Sequence, residues 1–478
     1  MRLLRSLLCL ALLVTPPSAG ARQTAAASRS PLFSSYLPLR VGLEAPFAEL
    51  FSNAQRDPDY SVKGRVSYRD SATSNSVELD KVEVSVRGNT SRWETECSFP
   101  KLKLRFQAGA QLDASIFRGA GIVRIGTHCG ELPDGQLTRR FGRWANDKAP
   151  LREAFVYRLL EAVDVRSLKA RPAQIAYVYS DASSEQGAQA GQTIVRNAMF
   201  LEDESEAMKR LAAVGELTTE AGENREKGRS RPFEDAQKHF PATDAAKTAF
   251  AQAMIGNFDW ALKFTPSDTY RSDAVKRLWN ILALVRDDGS AFPVMYDFDL
   301  SGMVTGTHPW FSRVFYDGFV PSKSHPQVEV LAQLQRTRSL FSRADLDVVR
   351  RAFVRNKTAA YQALEDSDID AYGRTSAEAY LDSFFNAIEA DAAFYLPVVT
   401  RPNTLLYLDD AKAQEACAPG DPIPVGTPVS APSEIKRNMV RVAVLDALWH
   451  WTGNLRCDAV RTGPVWIDAD ALSTNYPK

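Results

Sequence analysis

The sequence predicts an α+β protein with a β-rich N-terminal half, a helical stretch and a small β unit at its C-terminal end. In the N-terminal half, β-forming residues alternate or cluster between turn residues. Apolar residues then recur at helical spacing, and beyond Pro402 prolines, glycines and short β runs replace that pattern. A length of 478 residues corresponds to roughly two or three domains. We therefore expect one large unit at 40–400 and a second unit at 403–478.

The N-terminal half is predicted to contain antiparallel strands and one embedded helix. The helix is expected at 151–163, because Leu151, Phe155, Leu159 and Val163 would share one face. The predicted strands are 62–68, 77–86, 102–106, 175–179 and 194–201.

Further helices and a hairpin are predicted along the rest of the chain. The hairpin is expected because Asp287-Asp288-Gly289 is a strong turn signal between two apolar runs, 278–286 and 292–296. We interpret the charged, glycine-containing stretch 222–231 as a loop. The predicted helices are 207–214, 245–256, 328–364 and 376–394, and the predicted C-terminal strands are 424–427, 440–445, 448–451 and 464–467.

Charge and leader composition limit the classes of partner and the location. Lys plus Arg equals Asp plus Glu, at 58 each, so no overall field attracts nucleic acid. Arg2 and Arg5 precede a short apolar run, 7–14, which small residues follow. This order is typical of a signal peptide cleaved near Ala21, so we expect 1–21 to be removed and the protein to be secreted or periplasmic. No later segment predicts a transmembrane helix.

Four cysteines lie beyond the predicted leader, and four cysteines allow three pairings. In an oxidising compartment, proximity in sequence favours Cys97 with Cys129 and Cys417 with Cys457. Four buried free thiols are the alternative. A zinc site is the weakest interpretation, because no pair has the short spacing of zinc ligands.

Two acidic segments follow apolar runs and are the strongest functional signal. Asp259 ends the first, and Asp297 and Asp299 belong to the second. An ionised carboxylate at the mouth of a core costs several kcal/mol unless a cation or hydrogen bonds compensate, so a divalent metal is indicated. Asp297 and Asp299 alternate on an extended segment, so both side chains can face one cation. The alternative is local: Gly256-Asn257 ends a helix, and the aspartates cap backbone amides.

A series of motifs follows in a fixed order along the first two thirds of the chain. In order, the motifs are Val86-Arg87-Gly88-Asn89-Thr90-Ser91-Arg92, Cys97-Ser98-Phe99-Pro100, Leu102-Lys103-Leu104-Arg105-Phe106, Leu151-Arg152-Glu153, Phe200-Leu201-Glu202-Asp203-Glu204, Ile255-Gly256-Asn257-Phe258-Asp259-Trp260 and Tyr296-Asp297-Phe298-Asp299. Over roughly residues 60–310, this series resembles the CotH family of spore-coat kinases and CotH-like secreted proteins. The resemblance implies an atypical protein-kinase-like fold that binds ATP and Mg²⁺ and transfers phosphate to protein hydroxyls.

The resemblance implies residues for cofactor binding. Lys103 would be a strand lysine on the nucleotide phosphates, and Glu202 or Glu204 would pair with it. Arg87, in the first motif, is assigned to the same site. The simpler interpretations are a solvated strand face for Lys103 and an acid-rich helix start for the glutamates.

The resemblance also implies metal and acceptor residues. Asp259 would act as the catalytic base that orients the acceptor, and Asn280, Asp297 and Asp299 would hold the metal. The chain departs from the family pattern at 263–277, which reads as an insertion between Asp259 and Asn280.

The function expected is Mg²⁺-dependent phosphoryl transfer from ATP to Ser or Thr of an extracytoplasmic or envelope protein. One alternative is a catalytically inactive CotH-like binding or structural protein, and another is a glycoside hydrolase that uses Asp259 with Asp297 or Asp299. The strand expected at 463–468 resembles the closing strand of a bacterial SH3-like domain, which implies a small C-terminal β-barrel.

Overall fold

The computed structural model describes a mixed α and β protein, as predicted. It describes residues 30–70, 73–88, 99–127, 147–181, 190–218, 230–232, 240–262, 278–306, 325–445, 460 and 463–475. The predicted leader 1–21 and the cysteines Cys97, Cys129 and Cys457 lie outside these ranges, so export and both disulfide pairings stay predictions. Within the same ranges, none of the helices combines the length and the apolar character that a membrane crossing requires.

Seven strands in the described part of the N-terminal half form a closed barrel. They are β1 (Leu39–Ala45), β2 (Ser61–Arg69), β3 (Ser76–Val86), β4 (Leu102–Arg105), β5 (Ile122–Thr127), β6 (Ala170–Tyr179) and β7 (Thr193–Glu202). Their order around the barrel is β1-β2-β3-β4-β5-β7-β6. Neighbouring strands are antiparallel, except that β1 and β6 pair in parallel and so close the barrel. The five predicted strands correspond to β2, β3, β4, β6 and β7, whereas β1 and β5 are additional.

Strand β4 shows how the barrel divides its residues between two faces. Leu102 and Leu104 are buried inside, while Lys103 alternates with them and lies on the outer face. Two helices accompany the barrel, α1 (Phe47–Ala54) and the short α2 (Ala110–Asp113).

One helix, α3 (Ala149–Ala162), packs against β6 and β7 and confirms the helix predicted at 151–163. Pro150 lies in its first turn, where a missing N–H removes no helical hydrogen bond. Arg152 and Glu153 are as buried as their apolar neighbours, at 3% and 5% exposed. Helix α3 is therefore enclosed at this end, and its charged side chains must find partners within the protein.

The chain beyond the barrel forms helices packed on a small sheet. The helices are α4 (Glu204–Arg210), α5 (Ala242–Met254), α6 (Gly302–Thr305), α7 (His325–Leu340), α8 (Arg343–Arg355), α9 (Lys357–Glu365), α10 (Ala371–Ile388) and α11 (Asp391–Phe394). The strands are β8 (Gly215–Thr218), β9 (Ser230–Pro232), β10 (Ala261–Leu262), β11 (Leu278–Trp279), β12 (Ile281–Val285) and β13 (Ala291–Met295). The sheet has the order β13-β12-β8-β9, and β10 pairs with β11.

The hairpin β12-β13 confirms the predicted turn, and Gly289 adopts the left-handed conformation there, with φ of 84°. The helix predicted at 207–214 is wrong in its second half, because α4 ends at Arg210 and residues 211–214 form a turn that leads into β8, which pairs with β12. The long pattern 328–364 divides into α7, α8 and α9. Ser342 caps the start of α8, where its side chain accepts a hydrogen bond from the Asp345 amide.

The C-terminal residues form two small sheets around a core of their own. The strands are β14 (Val398–Val399), β15 (Glu434–Lys436), β16 (Met439–Val442), β17 (Val465–Asp468) and β18 (Leu472–Ser473). The first sheet is β15-β16-β17 and the second is β14-β18. Strand β17 matches the strand expected at 463–468, but the described residues do not show the predicted SH3-like barrel, and 448–451 lies outside them.

Candidate functional site

The candidate site forms where the start of β4, the first turns of α3 and the loop after β13 meet. The Lys101 ammonium lies 3.0 Å from a carboxylate oxygen of Asp299 and 3.5 Å from one of Asp297. The Lys101 side chain is 12% exposed, whereas those of Asp299 and Asp297 are 26% and 35% exposed. Two carboxylates therefore face one buried amine, and their outer side is open to solvent.

The loop that carries the two aspartates is held by α3. Asp297 has a left-handed backbone with φ of 62°, a conformation that is unfavourable for a residue with a side chain. Its amide donates to the Tyr157 hydroxyl at 3.0 Å, and the Phe298 amide donates to Glu153 at 3.2 Å. Phe298 is fully buried with its ring 4.7 Å from that of Tyr157. These contacts maintain the unusual backbone and place both carboxylates against Lys101.

The charges at this site are strongly coupled. The pKa of Glu153 is raised to about 8, first by burial and then by the charge of Asp299, while the charge of Lys101 opposes both. Burial also raises the pKa of Asp299, against the charge of Lys101. Burial alone would lower the pKa of Lys101, but Asp299 and Asp297 outweigh it, so that the pKa of Lys101 is raised and the amine stays charged at neutral pH. Arg87 is a partly buried second cation that interacts electrostatically with Asp297 and Glu153.

The carboxylate of Asp259 is fixed by neutral donors. Trp279 donates its indole N–H to Oδ1 at 3.1 Å, and the Asn280 side chain donates to Oδ2 at 3.0 Å and to the Asp259 carbonyl at 2.6 Å. On the other side, the Asp259 amide donates to the Asn257 side chain at 3.0 Å. Asn257 is fully buried and donates to Gln252 of α5. Asp259 thus projects from a loop whose shape side-chain hydrogen bonds determine.

Backbone contacts join the two acidic segments. The Tyr296 amide donates to the Asn280 carbonyl at 3.3 Å, and Asn280 in turn holds Asp259. Strands β10 and β11 pair on either side of the predicted insertion. This pairing brings Asn280 beside Asp259, although residues 263–277 separate them in the sequence. Residues 263–277 themselves lie outside the described part of the chain. The predicted helix end is also present, because Gly256 follows α5 with φ of 62°.

Of the predicted residues, Asp259 and Asn280 are bonded to each other, and Asp297 and Asp299 share the contact with Lys101. The backbone hydrogen bond from Tyr296 to Asn280 links the two pairs, and the predicted Arg87 interacts electrostatically with Asp297.

Lys103 and Glu202 do not form the expected pair. Lys103 lies on the outer face of β4 beside Ser85 and Arg124, and makes no ion pair within the described residues. Glu202 is 4% exposed and binds Arg210 at 2.7 Å, because a buried carboxylate needs its charge balanced nearby. The other candidate, Glu204, pairs with Arg124 at 3.0 Å.

Lys101 and Glu153 were not predicted as site residues, but Lys101 contacts Asp297 and Asp299, and Glu153 accepts a hydrogen bond from the Phe298 amide. Lys101 and Lys103 are two residues apart, so in an extended segment their side chains point to the same face. The alternation in this segment therefore does not distinguish the two lysines. Glu153 belongs to a quoted motif, and its signal is a pair of charged residues within an otherwise apolar helix. Tyr157 lies one helical turn after Glu153, and no pattern in the sequence indicates that it belongs to the site.

The donor set fits Mg²⁺ held jointly with phosphate rather than a metal cage built by the protein. The described residues contain no group of three or more His, Cys, Asp or Glu side chains that could hold a metal ion. Mg²⁺, however, commonly takes one or two carboxylates and completes its shell with phosphate oxygens and water. Asp297 and Asp299 could supply those carboxylates. The side-chain oxygen of Asn280, which accepts no hydrogen bond within the described residues, could supply a third ligand.

Comparisons with known proteins identify no family. No family model matches the chain, and no curated protein matches its sequence. Among solved structures, the chain is similar to the Helicobacter pylori proinflammatory kinase CtkA, with a TM-score of 0.32 and 8% identity. That match covers 62% of this chain and 92% of the other. A similarity of this size is too low to show a shared fold, and these comparisons do not show the CotH or SH3-like resemblances.

Replacing Tyr157 by phenylalanine is expected to lower the free energy of unfolding by about 1–3 kcal/mol, because the Asp297 amide loses its acceptor in a buried setting. Urea unfolding monitored by circular dichroism measures the loss. Tyr60→Phe is the control, since it removes an exposed hydroxyl that donates to Glu49, and it should leave the unfolding midpoint nearly unchanged. Equal losses in the two variants would show that Tyr157 does not hold the loop.

Proposed function

We propose that this protein transfers a phosphoryl group from ATP, with Mg²⁺, to a hydroxyl group of an acceptor. The observation that supports this most is the contact of the Lys101 amine with Asp297 and Asp299, whose side chains are 35% and 26% exposed to solvent. An amine and two carboxylates in direct contact form a site at which triphosphate oxygens can bind the amine while a metal binds the carboxylates.

Phosphoryl transfer is catalysed mainly by positioning and by stabilisation of charge. Lys101 stays cationic at neutral pH, so it can bind phosphate oxygens, and Arg87 adds a second, partly buried positive charge nearby. Asp297 and Asp299 would hold the metal. Mg²⁺, when bound, would neutralise charge on the phosphate oxygens. Glu153 keeps the Phe298 amide hydrogen-bonded and so preserves the loop geometry on which both aspartates depend.

Asp259 is suited to orient the acceptor hydroxyl. Its carboxylate accepts hydrogen bonds from Trp279 and Asn280, which fix its orientation before any acceptor binds. A preorganised carboxylate within hydrogen-bond reach of a hydroxyl can position the attacking oxygen and accept its proton. Asn280 would serve two purposes, since its amide nitrogen holds Asp259 while its oxygen remains available to the metal.

The acceptor that we propose is a Ser or Thr of an extracytoplasmic or envelope protein. This part is supported by the sequence alone, through the leader-like segment 1–21 and the series of CotH-like motifs. The balanced charge of the chain gives no support to a nucleic acid as the acceptor.

A catalytically inactive binding protein of the same kind is the second candidate. It is favoured by the fact that both carboxylate oxygens of Asp259 already accept hydrogen bonds from Trp279 and Asn280, as a purely structural aspartate would.

The decisive experiment measures nucleotide binding and phosphate transfer separately. We expect calorimetry to detect ATP binding that requires Mg²⁺, and Asp299→Asn and Lys101→Met each to weaken this binding by about tenfold or more. Asp259→Asn should retain binding but reduce transfer of labelled phosphate by about 100-fold or more. Asp287→Asn, in the exposed turn of the same hairpin, is the matched control and should change neither quantity.

Each alternative has its own signature in this experiment. Binding without transfer in the wild-type protein, under every acceptor condition, would favour the inactive candidate. If neither ATP nor Mg²⁺ binds, or if Asp299→Asn binds ATP as well as the wild type, phosphotransfer at this site is excluded.

A further inference from the structure

We propose that Tyr380 is a positioning residue, whose buried ring fixes the Asp259 loop and the Asp297–Asp299 loop relative to each other. The activity part of its test rests on the proposed function, whereas the structural part is independent of it. Tyr380 lies on α10, a helix that carries none of the residues assigned to the site.

The Tyr380 ring lies in contact with the backbones of two glycines. A Cβ atom added to Gly256 would come within 2.2 Å of the ring carbon Cε1, and a Cβ added to Gly302 would come within 1.8 Å of the hydroxyl oxygen. The ring is 1% exposed, so it has no free space into which to turn. Only residues without side chains allow both backbones to approach the ring this closely.

The two glycine segments are also joined directly. The Gly302 amide donates to the Gly256 carbonyl at 2.9 Å, and the Met303 amide donates to the Ile255 carbonyl at 3.1 Å. The Tyr380 hydroxyl donates to Glu329 of α7, which holds the ring in one orientation. The Tyr380 ring therefore packs against the place where the Gly256 and Gly302 backbones are hydrogen-bonded to each other. Glu329 of α7 in turn holds the ring.

The position of this junction in the sequence gives it a functional meaning. Gly256 precedes Asp259 by three residues, and Gly302 follows Asp299 by three residues. Helix α10 holds the second segment at further points along the same face, where Ser376 donates to the Gly302 carbonyl at 3.1 Å and Tyr372 donates to the Thr305 carbonyl at 3.3 Å. A change at Tyr380 is thus transmitted to both carboxylate loops through a few rigid bonds.

Tyr380→Phe tests the inference, because it keeps the ring but removes the bond to Glu329. Tyr361→Phe is the matched control, since the Tyr361 hydroxyl of α9 donates to Asp382 on the same helix α10. We expect Tyr380→Phe to accelerate hydrogen exchange of the Gly302 and Met303 amides at least tenfold relative to amides of the barrel. The control should leave both amides as protected as in the wild type. Equal protection in the two variants would overturn the inference.

The activity readout separates positioning from binding. Misplacement of reacting groups by about 1 Å can cost about 100-fold in rate, so we expect kcat of Tyr380→Phe to fall at least tenfold. The affinity for ATP with Mg²⁺ should stay within twofold, because Lys101, Asp297 and Asp299 are retained. Tyr361→Phe should change neither value.

An unchanged kcat in Tyr380→Phe would overturn the inference even if exchange were faster. If the wild-type protein transfers no phosphate, the proposed function fails and the exchange result alone decides the role of Tyr380.

Discussion

Replacing Arg152 by methionine is expected to lower the free energy of unfolding by about 3 kcal/mol. The Arg152 side chain is 3% exposed and donates to both carboxylate oxygens of Asp370, at 2.8 and 2.7 Å. It also donates to the Val304 carbonyl at 3.1 Å. Methionine keeps the apolar stem but leaves these acceptors without their donor. Asp370 is 29% exposed and regains some hydration, which keeps the loss at the lower end of the range for a broken buried ion pair.

The loss of free energy of unfolding in Arg152→Met should depend on pH, and the pKa of Asp370 determines the direction of this dependence. The hydrogen bond from Arg152 lowers that pKa below its ordinary value. A carboxyl with a lowered pKa in the folded state stabilises the protein above its unfolded pKa of about 3.9, and this contribution is lost as the pH falls through the folded value. The difference between wild type and Arg152→Met should therefore be complete at pH 7 and shrink below about pH 4. Urea unfolding at several pH values measures it.

Arg158→Met is the control for this prediction, because Arg158 lies on the same helix and also pairs with an aspartate. Its bond to Asp366 is 3.2 Å long, and the Asp366 side chain is half exposed. A largely solvated ion pair contributes about 1 kcal/mol or less. Equal losses in the two variants would contradict the assignment of Arg152 as the buried connection between α3 and α10.

The sequence predicts elements whose signals are local. The hairpin β12-β13 follows from its turn residues and two apolar runs, and α3 follows from helical spacing. Barrel closure has no such signal, because β1 and β6 pair in parallel although they are far apart in the chain. Strand β1 was not predicted, although Leu39, Val41 and Leu43 alternate along it. Such alternation also does not indicate the neighbour against which a strand lies.

The candidate site shows the same limit at the level of single residues. Alternation around Leu102 places a lysine on the outer face of β4, but Lys101 and Lys103 have the same parity. Contact with Asp297 and Asp299 decides between them, and this contact depends on where the loop after β13 lies against the barrel. Asp297 and Asp299 themselves could be selected from sequence, because a costly charge next to an apolar run requires a partner wherever the chain folds.

Glu153 illustrates why partners are harder to predict than charges. Its role arises because α3 places it beside the Phe298 amide, from an element distant in the sequence. Glu202 lies in a more acidic part of the sequence, followed by Asp203 and Glu204, yet Arg210 satisfies its carboxylate. Tertiary packing decides which of these two glutamates contacts the loop of Asp297 and Asp299, and no local sequence pattern encodes that packing.

Replacing Gly302 by alanine is expected to lower the free energy of unfolding by about 3 kcal/mol or more, at the upper end of the cost of overpacking. The added methyl carbon would lie 1.8 Å from the Tyr380 hydroxyl oxygen and 2.3 Å from the ring carbon that bears it. The ring cannot retreat, because the Gly256 backbone occupies its other side. Either α10 or the segment after Asp299 must therefore move.

Thermal and urea unfolding of Gly302→Ala measure this loss, with Gly109→Ala as the control. A Cβ atom at Gly109 would meet no atom within 4 Å, so that substitution should change the free energy of unfolding by less than about 0.5 kcal/mol. Because Gly302 lies just beyond Asp299, the displaced backbone should also reduce binding of ATP with Mg²⁺ in the folded variant. If Gly302→Ala were as stable as Gly109→Ala, the ring of Tyr380 would move at little cost in free energy. That result would contradict a rigid junction between the two acidic loops.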